Sequence, residues 1–188
     1  MKIINCNNCN SKLSRIQSKI KNTNFCNLKC RDNYKFHLKF DHLSKIFSDH
    51  IDEVSYLIGL ILGDGHIKKV AKQSSRVSIT FNSQDTKSIE ICKHVCDTLC
   101  IDHYTEPKIK SNCSVVGFML PDDLLAEYNI LYSGNKFKNQ PRPFNLILEN
   151  VNFSSGLLNS DGCLSPNNRG KPIVSFCNTV QSIVDSLK

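Results

Sequence analysis

The sequence predicts an α+β protein. A repeated helix–strand–strand–helix–strand–strand–helix unit, its second copy incomplete, follows a small N-terminal cysteine module. Three observations predict this. LIGLILGDG (Leu57 to Gly65) recurs without gaps as SSGLLNSDG (Ser154 to Gly162). Strand-like alternation and helix-like periodicity follow the first copy in a regular order. Four early cysteines fall in two close pairs.

The pairs come first in the chain: Cys6-x2-Cys9, sixteen residues, then Cys26-x3-Cys30. Two short bites joined by a loop suit a tetrahedral Zn²⁺ ion. A segment this short cannot bury a core of its own, so the metal would supply its folding energy. The alternative is four unrelated thiols. Residues 1–35 are read as a zinc finger and 36–50 as a helical or flexible connector. Ten cysteines without an apolar signal core argue against a disulfide framework and for an intracellular protein.

The first copy of the repeat spans 51–132. Its apolar helix ends at Gly63-Asp64-Gly65. HIKKVAKQ and SRVSITFNS read as two strands, the second alternating Val77, Ile79 and Phe81. QDTKSIEICKHVCDTLCI reads as a helix, with Cys92, Cys96 and Cys100 on one face as buried thiols. EPKIKSN and CSVVGFML make a second strand pair, and PDDLLAEYNIL a closing helix that starts at Pro121. A basic linker occupies 133–152. The second copy, 153–188, offers a helix, the strand pair CLSPNNRGKPIVSFCN and the start of a helix in TVQSIVDSLK. Only 27 residues follow Asp161, so this copy is expected to be truncated.

The repeated helices suggest a pairing. Gly59 and Gly63 are four apart and share a helix face; Gly156 and Ser160 hold the same positions in the second copy. Small residues let two backbones approach. Pairing about a pseudo-twofold axis would bring Asp64 beside Asp161. Two crowded carboxylates repel unless a cation neutralises them. Mg²⁺ (or Mn²⁺) with waters and phosphate oxygens fits such a seat, and supports phosphodiester cleavage. Each Asp-Gly alone reads as an ordinary turn; the duplication is what argues for a site.

These motifs resemble those of the LAGLIDADG homing endonucleases, over about residues 50–188. The resemblance implies saddle-shaped antiparallel sheets over double-stranded DNA, an interface made by the two motif helices, and site-specific cutting. By position Asp64 and Asp161 would be the metal-binding catalytic acids. The earlier motif acid of the family is Leu62 here and Asn159 in the second copy. Ser133 to Phe144 resembles the basic lead-in of intein-type members, and the cysteine module resembles accessory DNA-binding modules of mobile-element nucleases. Lys68, Lys136, Lys138 and Gln140 are candidates to support the attacking water. Splicing is not expected, since the chain starts Met1-Lys2 and ends Leu187-Lys188. The alternatives are a non-catalytic nucleic-acid-binding relic, an RNA maturase on the same scaffold, or the endonuclease part of an intein.

Charge agrees with a polyanionic partner. Residues 1–50 carry ten Lys/Arg against three Asp/Glu, while 51–188 are balanced; a solvated basic tail is the other reading. Lys68, Lys69, Arg76, Lys136 and Lys138 are the candidate DNA contacts outside the module. No membrane and no small-molecule substrate is expected. A monomer is expected once a completing segment supplies the rest of the second copy.

Overall fold

The structure is a computed structural model. It describes residues 1–108, 111–131, 143, 145–166 and 172–176, with backbone alone for 161, 163–166 and 172–176. It is mixed α+β with antiparallel sheets, and divides into two compact units, Met1–Lys45 and Ile46–Lys188. No helix among the described residues is long and apolar enough to cross a membrane.

In the first unit β1 (Lys2–Asn5) and β2 (Lys12–Arg15) form a hairpin, Lys2 opposite Arg15 and Asn5 opposite Lys12. Its turn is closed by Cys6 N–H on Ser11 O (2.8 Å) and Asn10 N–H on Cys6 O (3.0 Å). Asn10 takes a left-handed φ of 59°, which asparagine tolerates better than most residues. A 3₁₀ turn (Gln17–Lys19) leads toward α1 (Leu28–Asp49). The Asn27 side chain caps α1 by accepting from the Cys30 N–H (2.8 Å). Residues 36–49, within the segment read as a helical or flexible connector, are helical, in one helix that starts at Leu28.

The second unit, from Ile46, takes in the last residues of α1 and then α2 (Ile51–Gly63), buried from Val54 to Gly63. Asp52 and Glu53 complement the positive helix start. Apolar side chains all round it mark a fully enclosed helix. Then follow β3 (Gly65–Ala71), β4 (Ser74–Asn82), α3 (Thr86–Thr98), β5 (His103–Lys108), β6 (Cys113–Pro121) and α4 (Asp122–Glu127). The sheet order is β3-β4-β6-β5, antiparallel throughout. One face of it carries Val77, Ile79 and Phe81 opposite Phe118, Val116 and Ser114. These join Leu57, Leu60, Ile61, Cys92 and Cys96 in the buried core.

Three boundaries differ from the sequence reading. β5 starts at His103 rather than Glu106 and ends at Lys108, because pairing with β6 runs from His103↔Phe118 to Lys108↔Cys113 and Asn112 turns with φ 49°. Cys100 lies past the end of α3 and is exposed. It takes φ 53° and stops the helix, with Ile101 N–H on Cys96 O (2.8 Å). Asn129, at φ 52°, stops α4 the same way, so that helix ends at Glu127 and does not reach Leu131.

The segment read as a linker contains a short helix, α5 (Asn145–Leu148). Next come α6 (Val151–Asp161), capped by Asn150, and a strand pair of β7 (Gly162–Pro166) and β8 (Pro172–Phe176). The helix read in Thr179–Lys188 lies outside the described residues.

Candidate functional site

The closest helix approach among the described residues of the second unit is between α2 and α6. A Cβ on Gly59 would run into the Phe153 carbonyl oxygen, with Leu157 N at 2.9 Å; a Cβ on Gly156 would run into the Tyr56 carbonyl oxygen, with Leu60 N at 3.1 Å. The contacts are reciprocal. Gly59 meets Gly156, its equivalent at an offset of 97 positions, and each glycine meets the equivalents of the other's neighbours: Phe153 and Leu157 on one side, Tyr56 and Leu60 on the other. Asn150 Nδ2 donates to Asp52 Oδ1 (2.8 Å) near the helix starts, so the helices run parallel. Their C-terminal ends, at Asp64 and Asp161, therefore lie at the same end of the pair. The glycine after each acid folds tightly against its own helix: a Cβ on Gly65 would strike Ile61 O, and one on Gly162 would strike Leu158 O.

Asp64 is the C-cap of α2, exposed, its N–H bonded to Leu60 O (3.1 Å). Gly63 is buried at the last position of α2. The Ser160 hydroxyl donates back to Gly156 O and Leu157 O of its own helix (3.1 and 2.9 Å). The Asp161 carboxylate lies outside the described features. A contact that the spacing of the motifs did not reveal is Asn159 Nδ2 donating to the Tyr56 hydroxyl (2.8 Å). Burial pushes the Tyr56 phenol above its usual pKa. No glycine or acid pattern marks that pair, because its members occupy different positions of the repeat.

The sheet face away from the core is polar. Cross-strand partners point the same way. Lys68 stands opposite Arg76, and Arg76 opposite Met119. The next row holds His66, Ser78, Gly117 and Tyr104. The Tyr104 ring lies over Gly117, filling the space a Cβ would take. Like charges directly opposite one another are unfavourable without an anion to share. Lys69 behaves differently. A register shift between Lys69 and Ala71 accompanies it, and its ammonium pairs with Asp122 Oδ2 (3.0 Å). The other Asp122 oxygen accepts from the Ser75 hydroxyl (2.6 Å), so Lys69 helps to hold the buried start of α4. Lys136 and Lys138 lie outside the described residues.

In the first unit the Sγ atoms of Cys6, Cys9, Cys26 and Cys30 all lie within 4.8 Å of one another. The nearest pairs are Cys26–Cys30 at 3.3 Å and Cys9–Cys26 at 3.6 Å. A tetrahedral Zn–S₄ centre, with bonds of about 2.3 Å, has S–S edges of roughly 3.8 Å. The four cysteines are close enough to bind one metal ion. The hairpin turn supplies Cys6 and Cys9, while the approach to α1 and its first turn supply Cys26 and Cys30. Asn7 locks the halves together, its N–H on Asn24 O (2.8 Å) and its side chain accepting from Asn24 N (2.6 Å). The Cys9 N–H holds the Cys6 thiol down at about 6, ready to ionise. The neighbouring Cys30 thiol pushes Cys26 up to about 12. Beside the cluster is a cleft of about 340 Å³, lined by Arg15, Lys19, Lys21, Phe25 and Arg31 among others.

No family model matches the chain, and a comparison with curated proteins finds no match.

Proposed function

We propose that the chain is a site-specific endonuclease of double-stranded DNA, built on the LAGLIDADG plan, that hydrolyses phosphodiesters with a divalent metal. The observation that carries the reading is the parallel, glycine-packed pair of α2 and α6, which directs both motif acids to one end. Helix C-termini are partially negative, so a carboxylate there is locally unfavourable. Two such ends side by side favour a cation. Mg²⁺ or Mn²⁺ bound there would polarise the scissile phosphate and lower the pKa of an attacking water. Asp64 and Asp161 would hold it, and Gly65 and Gly162 would keep each acid at its helix end.

DNA would lie on the polar sheet face, with Lys68 and Arg76 sharing phosphates and Lys136 and Lys138 as further contacts. Lys69 is the weakest of the set, since Asp122 already uses its charge. The cysteine module, holding Zn²⁺, would add grip through the cleft of Arg15, Lys19, Lys21 and Arg31.

The test uses the full product of the reading frame on plasmid DNA with Mg²⁺. Wild type is set beside Asp64→Asn and Asp161→Asn. Cutting by wild type, at least about 100-fold reduced in each variant with binding retained, is expected when a catalytic metal loses a ligand. Equal cutting by all three, or none by any, overturns it; binding without cutting would leave a nucleic-acid binder or maturase.

A further inference from the structure

We propose that the Tyr56–Asn159 pair selects the partner of α2: it directs this helix to α6 of its own chain and away from α2 of a second copy. The inference stands apart from the nuclease reading, because it needs only the two helices.

The reciprocal glycine contacts define the twofold relation. Residues 97 positions apart are equivalent, so Tyr56 corresponds to Phe153 and Leu62 to Asn159. The mate of the Tyr56–Asn159 hydrogen bond is therefore Phe153 with Leu62. Tyr56 is buried, while Phe153 and Leu62 are both at 0 % exposure. One crossing of the native pair is polar and satisfied, and its mate is apolar. The chemistry is matched within each crossing and different between them.

Self-pairing breaks both matches. A surface this similar on α2 and α6 allows two copies to pack α2 against α2, since Gly59 would meet Gly59. Tyr56 would then face Leu62 of the other copy, twice, and each phenol hydroxyl would be covered by methyl groups with nothing to bond. Pairing α6 with α6 would set the Asn159 amide against Phe153, also twice. A second, weaker discrimination acts at the helix starts. Asp52 accepts from Asn150 in the native pair. The residue equivalent to Asn150 is Glu53, so α2 against α2 would place Asp52 beside Glu53, a repulsion that His50, 3.7 Å from Glu53, would offset in part when protonated.

The experiment compares the wild-type chain with Asn159→Leu and with Tyr56→Phe/Asn159→Leu. Thermal unfolding and light-scattering mass are measured over a range of concentrations. Asn159→Leu alone is expected to lower the thermal midpoint, because the Tyr56 hydroxyl loses its partner. The double variant makes both crossings Phe–Leu. It is expected to recover most of that loss, and to dimerise at a concentration about tenfold or more below that of wild type, corresponding to one unpaired polar group removed per crossing. A double variant as monomeric as wild type overturns the proposal. So does an Asn159→Leu chain with an unchanged midpoint.

Discussion

Gly59 and Gly156 have little room for change. The atoms a methyl would meet are backbone carbonyls of the facing helix, which cannot swing aside as a side chain can. Gly156→Ala should therefore destabilise the second unit by about 2 kcal/mol, as overpacking does. Gly59→Ala should do the same, and the two changes together should fall short of their sum because they strain one interface. Thermal unfolding checks this; a midpoint unchanged in both would mean that the helices part freely. These glycines were legible because spacing alone puts them on a helix face and repetition puts them there twice. Tyr56 and Asn159 were not legible. Their bond joins different positions of the two copies, and only the crossing of the helices reveals which positions meet. Cys100 misled for a local reason: its four-residue spacing continues the helical stripe of Cys92 and Cys96, but the helix ends at Thr98 and leaves it exposed.

At the scale of elements, the hairpin turn and the first turn of α1 each present a cysteine pair. Neither has an apolar core to hold it, as Cys6 is the only buried residue before Leu43. A metal ion bound by the four cysteines would then be the main source of order in residues 2–30. Cys26→Ser should reduce bound zinc from about one equivalent toward none, read by metal analysis, and should abolish amide protection across β1 and β2. Acidification should release the metal in the wild type, because protons compete for the thiolates. Affinity therefore falls as pH falls, and zinc held unchanged from pH 7 to pH 4 would contradict this. The cysteine quartet was readable from spacing. The span of α1 was readable in part: 36–50 were read as a helical or flexible connector, and with no glycine or proline between Cys30 and Asp49 the helix runs from Leu28 to Asp49. The strands β4 and β6 were readable from alternation and apolar runs. β5 was read as a strand but placed late, starting at Glu106 rather than His103, because its mixed polar residues carry no period and only pairing with β6 sets its register.

For the whole molecule, the excess positive charge of the first fifty residues should appear as salt dependence. If Arg15, Lys19, Lys21 and Arg31 each meet a phosphate, replacing all four by Gln should reduce the slope of log affinity against log salt by about 3.6, at roughly 0.9 for each phosphate no longer neutralised. The weakening should be similar for every DNA sequence, as phosphate contacts carry no base information. Titrations at several salt concentrations check it; an unchanged slope would remove the module from the DNA interface.

The pairing of α2 with α6 also has a consequence in time. The ten consecutive buried residues Val54–Gly63 leave the ribosome long before their partner does. With 97 residues between equivalent positions and synthesis at about 5–20 residues per second, α2 waits roughly 5–20 s for α6. On a crowded polysome, α2 of a neighbouring nascent chain at the same stage would offer a similar glycine-faced surface during that wait. A Tyr56 hydroxyl without a partner there would make that premature embrace reversible, and would leave α2 available when α6 arrives.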